Sequence, residues 1–215
     1  MAEWTIYVDV NGNGELPRLR SITVHDHEQV RFDGPSQTLF ADCTEAVMGH
    51  NPCFKTQLMR GTYDWIGHLE RAFGSDFGGF SGLAVGDVNG DDLEDVYLCQ
   101  SSALPNRLFI QNENGTVTDR SAWAGVDWCD RTLSALLVDL DNDGDQDLVL
   151  STNRMLLIMA NNGAGQFSQR TAIKAIRLAY SLAAADYDHD GDLDIYVCRY
   201  AVSYTHLTLP TILLV

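Results

Sequence analysis

An all-β fold assembled from repeated four-stranded units is predicted by three observations. A nine-residue acidic pattern occurs three times, at Asp87–Asp95, Asp139–Asp147 and Asp186–Asp194, so that successive copies begin 52 and 47 residues apart. Each copy lies between two short apolar runs of strand length. The first unit also carries Asn114-Gly115, a dipeptide suited to a tight hairpin because both turn positions need a positive φ. A period of this size marks a stacked or radial repeat, in which each unit buries its faces against its neighbours.

Taken in order, residues 1–78 read as an N-terminal segment of mixed strands and a short helix. Thr5–Val10, Ser21–Val24 and Gln29–Phe32 have strand composition, and Trp65–Phe73 fits a short helix. Asp9-Val-Asn-Gly-Asn-Gly14 opens like the acidic pattern, but Pro17 stands where the closing acid belongs, so it reads as a turn. Residues 79–201 hold the repeats. In the first unit Gly82–Gly86 enters the acidic loop and Val96–Cys99 leaves it, while Leu108–Asn112 and Thr116–Asp119 flank the Asn-Gly turn. The second unit repeats the order with Ser134–Val138, Leu148–Ser151, Leu156–Ala160 and Gln166–Ser168, the last two separated by a turn around Gly163–Gly165. The third begins with Ser181–Ala185 and Ile195–Cys198. Four antiparallel strands per unit supply one sheet per blade of a β-propeller. The small residues of Ser181-Leu-Ala-Ala-Ala185 suit a crowded inner strand. The prediction is an incomplete β-propeller of about two and a half blades; a right-handed parallel solenoid has shorter coils and no such hairpin.

Residues 202–215 are left out of the fold. Val202 to Thr211 reads codon by codon as GTC TCT TAT ACA CAT CTG ACG CTG CCG ACG, which resembles the translation of a transposon-end sequencing adaptor. The expectation is an artefactual tail on a reading frame that continues elsewhere.

The chain has 215 residues, 45% of them hydrophobic and 20% charged, an ordinary globular composition. Its 30 acidic against 14 basic side chains give a net charge of -16, which repels nucleic acid phosphates and anionic membranes. No apolar stretch is long enough to span a bilayer, so membrane insertion is not expected, and no basic-then-apolar leader opens the sequence. The five cysteines form no zinc spacing. Cys99 and Cys198 occupy matching strand positions and read as small buried hydrophobes. Cys43 and Cys53 have the separation to close a loop in an oxidising compartment.

The three acidic segments carry 15 of the 30 acids in 27 residues. Carboxylates that close repel one another, and a bound cation is the simplest reason to tolerate the arrangement. Numbered from the first Asp, positions 1, 3, 5 and 9 are Asp87, Asn89, Asp91 and Asp95, then Asp139, Asp141, Asp143 and Asp147, then Asp186, Asp188, Asp190 and Asp194. Alternate oxygen side chains on a tight loop converge, and six to eight oxygens suit calcium, with a position 7 carbonyl from Leu93, Asp145 or Asp192 completing each shell. Three calcium sites are expected, one per loop. Position 6 must bend sharply, which Gly144 and Gly191 do at no steric cost; Asp92 stands there in the first loop, which is expected to be the weakest site. Position 12 is Leu98, Leu150 and Val197, so the chelating Glu of an EF-hand is missing. Three tandem copies also argue against a catalytic DxD phosphatase centre. Such calcium holds a blade corner more readily than it bridges a ligand.

The pattern Asp-x-Asn/Asp-x-Asp-x-x-x-Asp before an apolar strand, with Leu108-Phe-Ile-Gln-Asn-Glu-Asn-Gly-Thr116 downstream, resembles the FG-GAP/VCBS repeat of integrin α-subunit propellers. The Asn106-Arg-Leu-Phe109 and Ala124-Gly-Val126 context is most similar to the cartilage acidic protein family and its bacterial relatives that carry an ASPIC/UnbV domain. Asp92 and the lack of a Phe-Gly-Gly-Ala-Pro element depart from the integrin form. The resemblance implies a ring with calcium at blade corners, placed extracellularly, in a periplasm or at a cell surface, and used for adhesion or for recognition of a protein or glycan ligand. A non-enzyme is the expectation. The alternative is part of a propeller-type polysaccharide lyase or other carbohydrate-active enzyme, but His25, His27, His50, His68, Arg107, Arg120 and Arg154 share no spacing that converges them, and His189 takes the outward position 4 of its loop.

Overall fold

The computed structural model describes residues 3–9, 18–25, 41–68, 81–174, 179–199 and 211–213. The chain divides into two compact units, residues 1–41 and 42–215. In the first, β1 (Glu3–Asp9) and β2 (Arg18–His25) form an antiparallel hairpin with an irregularity at Tyr7/Val8. The strand expected at Gln29–Phe32 and most of the turn expected from Asp9 onward lie outside the described residues.

The second unit contains the repeats. β3 (Leu83–Gly86), β4 (Asp95–Leu98), β5 (Arg107–Gln111) and β6 (Val117–Asp119) form one antiparallel sheet in chain order. β7 (Thr132–Val138), β8 (Asp147–Thr152), β9 (Leu156–Asn161) and β10 (Phe167–Ile173) form the next in the same way. β11 (Ala179–Ala185) and β12 (Asp194–Arg199) open a third. This is the predicted all-β architecture of propeller blades. β10 runs past the expected Ser168 through a bulge between Gln169 and Thr171.

The blades stack face to face, and strand alternation explains how. Leu148 and Leu150 of β8 point into a core shared with the first blade, with Tyr97, Leu108, Val126 and Phe167. Val149, between them, points the other way into a core shared with the third sheet, with Ile195 and Val197. Both faces of β8 and β9 are therefore apolar, which is why these strands read as unbroken hydrophobic runs. Blades also touch along their inner strands, where the Gly82 amide donates to the Leu133 carbonyl at 3.0 Å. A Cβ at Gly82 would lie 3.1 Å from that oxygen and 3.2 Å from the Ser134 Cα, so the small residue permits the approach.

Residues 44–68 are mainly helical and lie over the outer face of the first blade, where Cys53 packs with Phe109 and Val117. α1 (Thr44–Met48), a π-helical turn (Phe54–Leu58) and α2 (Thr62–His68) make up the segment. α2 starts ahead of the helix expected from Trp65, and the remainder of that expectation falls outside the described residues. Buried Asn51 closes the edge of β6: its Nδ2 donates to the Val117 carbonyl at 2.7 Å, and its Oδ1 accepts from the Asp119 amide at 2.8 Å. One side-chain amide thus pairs with the strand as a further strand would. Arg107 joins the same seam, meeting Asp119 at 2.9 Å and donating to Gln57 Oε1.

Burial works to raise the Asp119 carboxyl, but hydrogen bonds from Ser121 and Cys53 and the charge of Arg107 outweigh it, so its pKa lies below the ordinary 3.8. A carboxylate with a depressed folded pKa contributes stability that is present above the unfolded value and is lost as pH falls through the folded one. Replacing Asp119 by asparagine is therefore expected to flatten the acid limb of the stability curve below about pH 4, measured by denaturation midpoints at successive pH values.

Cys99 is fully buried as expected, and burial pushes its thiol up to about 12. Cys198 is exposed, contrary to the sequence expectation, because alternation turns it to the face of β12 opposite Ile195 and Val197, and no buried core of the described residues packs on that face, whereas Cys99 faces the second blade. Cys53 is a free thiol, so the loop closure expected between Cys43 and Cys53 is not formed.

β13 (Thr211–Leu213) lies in the segment that resembles adaptor translation and pairs with Ile195–Val197 of β12. It takes the place that β5 and β9 hold in their sheets. Genomic DNA around codon 201 is expected to lack GTCTCTTATACACATCTG and to continue into native third-blade strands. Amplification of the locus checks this, and finding the same codons there sinks it.

Candidate metal centre

Each acidic loop joins the inner strand of a sheet to the next strand: β3 to β4, β7 to β8 and β11 to β12. The position 1 carboxylate organises the turn by accepting backbone amides. Asp87 Oδ1 accepts from Asn89, Gly90 and Asp91 at 2.8–3.2 Å, and its Oδ2 from Asp92 at 2.8 Å. Asp139 accepts from Asp143 and Gly144, and Asp186 from Gly191. Position 5 repeats the device two residues on, with Asp91, Asp143 and Asp190 accepting from Leu93, Asp145 and Asp192. These local bonds compete with regular structure and fix the loop.

Two positions per loop adopt left-handed backbone. Position 6 has φ 64° at Asp92, 94° at Gly144 and 97° at Gly191, as the sharp bend requires. Position 4 does the same, with φ 73° at Gly90, 58° at Asn142 and 63° at His189. The position 4 bend went unrecognised in the sequence, where the residue type varies; Asn and Gly there were the available signal. His189 is exposed at this bend.

The loops bring positions 1, 3 and 5 together. Carboxylate oxygens of Asp139, Asp141 and Asp143 lie within 4.8 Å of one another, as do those of Asp186, Asp188 and Asp190. Asp186 Oδ1 is buried and has no hydrogen-bond partner among the described residues, an oxygen of the type that hard cations take as ligand. Loss of hydration in the crowded loop, and then the charges of Asp190 and Asp194, raise the Asp188 carboxyl. In the second loop Arg170 sits 3.0 Å from Asp141 and offsets part of the charge. The first loop differs: Asn89 replaces the position 3 acid, and its Nδ2 donates to Asp91 Oδ2 at 2.9 Å, closing the site with an internal hydrogen bond. The carboxylates of Asp145 and Asp192 do not belong to the convergent trios; the part expected of position 7, at Leu93, Asp145 and Asp192, is that of a backbone carbonyl.

Position 9 has a second task. Asp95, Asp147 and Asp194 are 0%, 1% and 7% exposed. Asp95 accepts the amides of Val88 at 3.1 Å and Gln111 at 2.8 Å, tying its loop to β5. Asp147 accepts those of Leu140 at 3.4 Å and Asn161 at 2.9 Å, and Asp194 that of Tyr187 at 3.0 Å. Burial raises the carboxyls of Asp95 and Asp147 against these bonds, and the charges of Asp91 and Asp87, or of Asp141 and Asp143, add to the rise. Position 9 is thus close enough to the trio to feel its charge and is held as the corner of the blade. The loops are also linked between blades: Asn161 Nδ2 donates to the Val88 carbonyl at 2.8 Å and to Gln146 at 3.0 Å. Nothing in the local sequence distinguished Asn161 from a turn residue.

Against known proteins, the profile of the FG-GAP-like repeat matches residues 87–150 and again 139–197. Mouse cartilage acidic protein 1 is 30% identical over 122 residues, covering 54% of this chain and 19% of that protein. Its human counterpart is 29% identical over 129 residues, covering 57% and 19%. The chain thus spans about a fifth of the length of these relatives.

Proposed function

The chain belongs to the FG-GAP-like repeat family, and on that premise we propose that it is a calcium-stabilised propeller segment of an extracellular, periplasmic or surface protein that recognises a protein or glycan ligand and catalyses no reaction. The observation that carries the calcium part is the convergence of two carboxylate trios, one of which contains the buried Asp186 Oδ1 that has no hydrogen-bond partner among the described residues. Asp139, Asp141 and Asp143 hold one ion and Asp186, Asp188 and Asp190 another, with Asp147 and Asp194 behind them and carbonyls at Asp145 and Asp192 available to complete the shells. Asp87, Asn89, Asp91, Leu93 and Asp95 form the weakest of the three sites, since Asn89 already satisfies Asp91. Calcium supplies positive charge that draws these oxygens together and holds each corner. Sites of this exposed kind work where the ion is plentiful, outside the cytosol.

Recognition follows from the scaffold: stacked blades hold loops on a rigid base, and half of the acidic side chains are engaged in the loops. The test is retention of the chain on defined glycans and on extracellular protein ectodomains, with calcium and with chelator. Calcium-dependent capture without turnover is the expected result. Cleavage of a polysaccharide, abolished by changing one arginine or histidine outside the loops without unfolding, points to the lyase alternative instead.

A further inference from the structure

Resting on the calcium reading above, we propose that Asn142 is a positioning residue that couples the second and third acidic loops, so that calcium held by one raises the affinity of the other, while the first loop binds on its own. Asn142 is position 4 of the second loop and stands between Asp141 and Asp143, two of the three carboxylates that converge there. Its backbone is left-handed, with φ 58°, and its side chain reaches out of its own loop into the next. The Nδ2 group lies 3.4 Å from the Gly191 carbonyl and 3.4 Å from Asp192 Oδ1, one donor group shared by two acceptors.

Gly191 and Asp192 are the residues on which two carboxylates of the third loop are set. The Gly191 amide donates to Asp186 Oδ2 at 3.2 Å, and the Asp192 amide to Asp190 Oδ1 at 3.0 Å. Asp186 and Asp190 belong with Asp188 to the third loop's trio. Drawing Asp141 and Asp143 together fixes the bend that carries Asn142, and Asn142 in turn fixes the stretch from which Asp186 and Asp190 take their amides. A loop already ordered by its neighbour has less freedom left to lose, and the effect is reciprocal between the two. Both contacts of Asn142 are exposed, so the gain is that of an ordinary solvated hydrogen bond, about fivefold in affinity. The first loop has Gly90 at position 4, with no side chain to reach across. Its tie to the second blade runs instead from Asn161 to the carbonyl of Val88, at position 2, which supplies none of the expected ligands.

The test is a cycle of calorimetric calcium titrations on the chelator-treated full chain, comparing the parent, Asp188→Ala, Asn142→Gly and the double variant. Asp188→Ala vacates the third loop. In the parent background it should weaken uptake at the second loop about fivefold; in the Asn142→Gly background it should leave that uptake nearly unchanged. Glycine suits the left-handed backbone, as Gly90 does at the same position of the first loop, so melting of Asn142→Gly in chelator should match the parent. Asn142→Asp keeps the size and the backbone fit but loses the donor, and it should uncouple the loops as well. Second-loop uptake that ignores Asp188→Ala in the parent, or that falls equally in all backgrounds, overturns the coupling and leaves the calcium reading standing. A chain that takes up no calcium in any background overturns both.

Discussion

Replacing Asp147 by alanine is expected to destabilise the chain by about 3 to 5 kcal/mol, in chelator as well as in calcium. The carboxylate is 1% exposed and accepts amides from Leu140 and Asn161, so its removal strands two backbone donors at a blade corner. Asn161 is itself the bolt to the first loop through the Val88 carbonyl, and the loss spreads across the blade junction. Asp143 is exposed and serves only its own loop. Asp143→Ala should therefore fall within about 0.5 kcal/mol of the parent in chelator, and should cost about 2 to 3 kcal/mol once calcium is saturating, which is the share one bound ion contributes. Urea denaturation of both variants in both conditions separates the two roles. An Asp147→Ala curve that overlays the parent in chelator contradicts the corner role.

Replacing Asn51 by alanine should cost about 2 to 4 kcal/mol, because the Val117 carbonyl and the Asp119 amide both lose their partner at a buried edge. The segment 44–68 then rests on apolar contact around Cys53 and on Arg107 with Gln57. Hydrogen exchange at the Asp119 amide is the direct readout. Exchange as slow as in the parent would show that the asparagine does not close the edge.

Much of this fold was legible because its signals are local. The acidic loops repeat within nine residues, and the Asn-Gly turn sits between two strands. What escaped depends on distance in sequence. Asn51 meets partners 66 and 68 residues away, and Asn161 reaches a carbonyl 73 residues back. No periodicity encodes such pairs. The helical turns at 44–48 and 54–58 are too short to show an apolar stripe, and their place is set by packing on the first blade. Of the candidate site, alternate acids do converge at positions 1, 3 and 5 of the second and third loops, while the ion they would hold is the proposal made above. The burial of position 9 was not foreseen, because an aspartate that points at backbone amides looks in sequence like one that points at a cation.

The most direct measurement is a calorimetric titration of calcium into the chelator-treated chain, paired with melting in calcium and in chelator. Uptake at two sites of similar affinity is expected, with a third, weaker site at the first loop. Saturation should stabilise the chain by about 2.7 kcal/mol per occupied site when free ion exceeds its dissociation constant a hundredfold. No heat of binding and coincident melting curves with and without chelator would contradict the account.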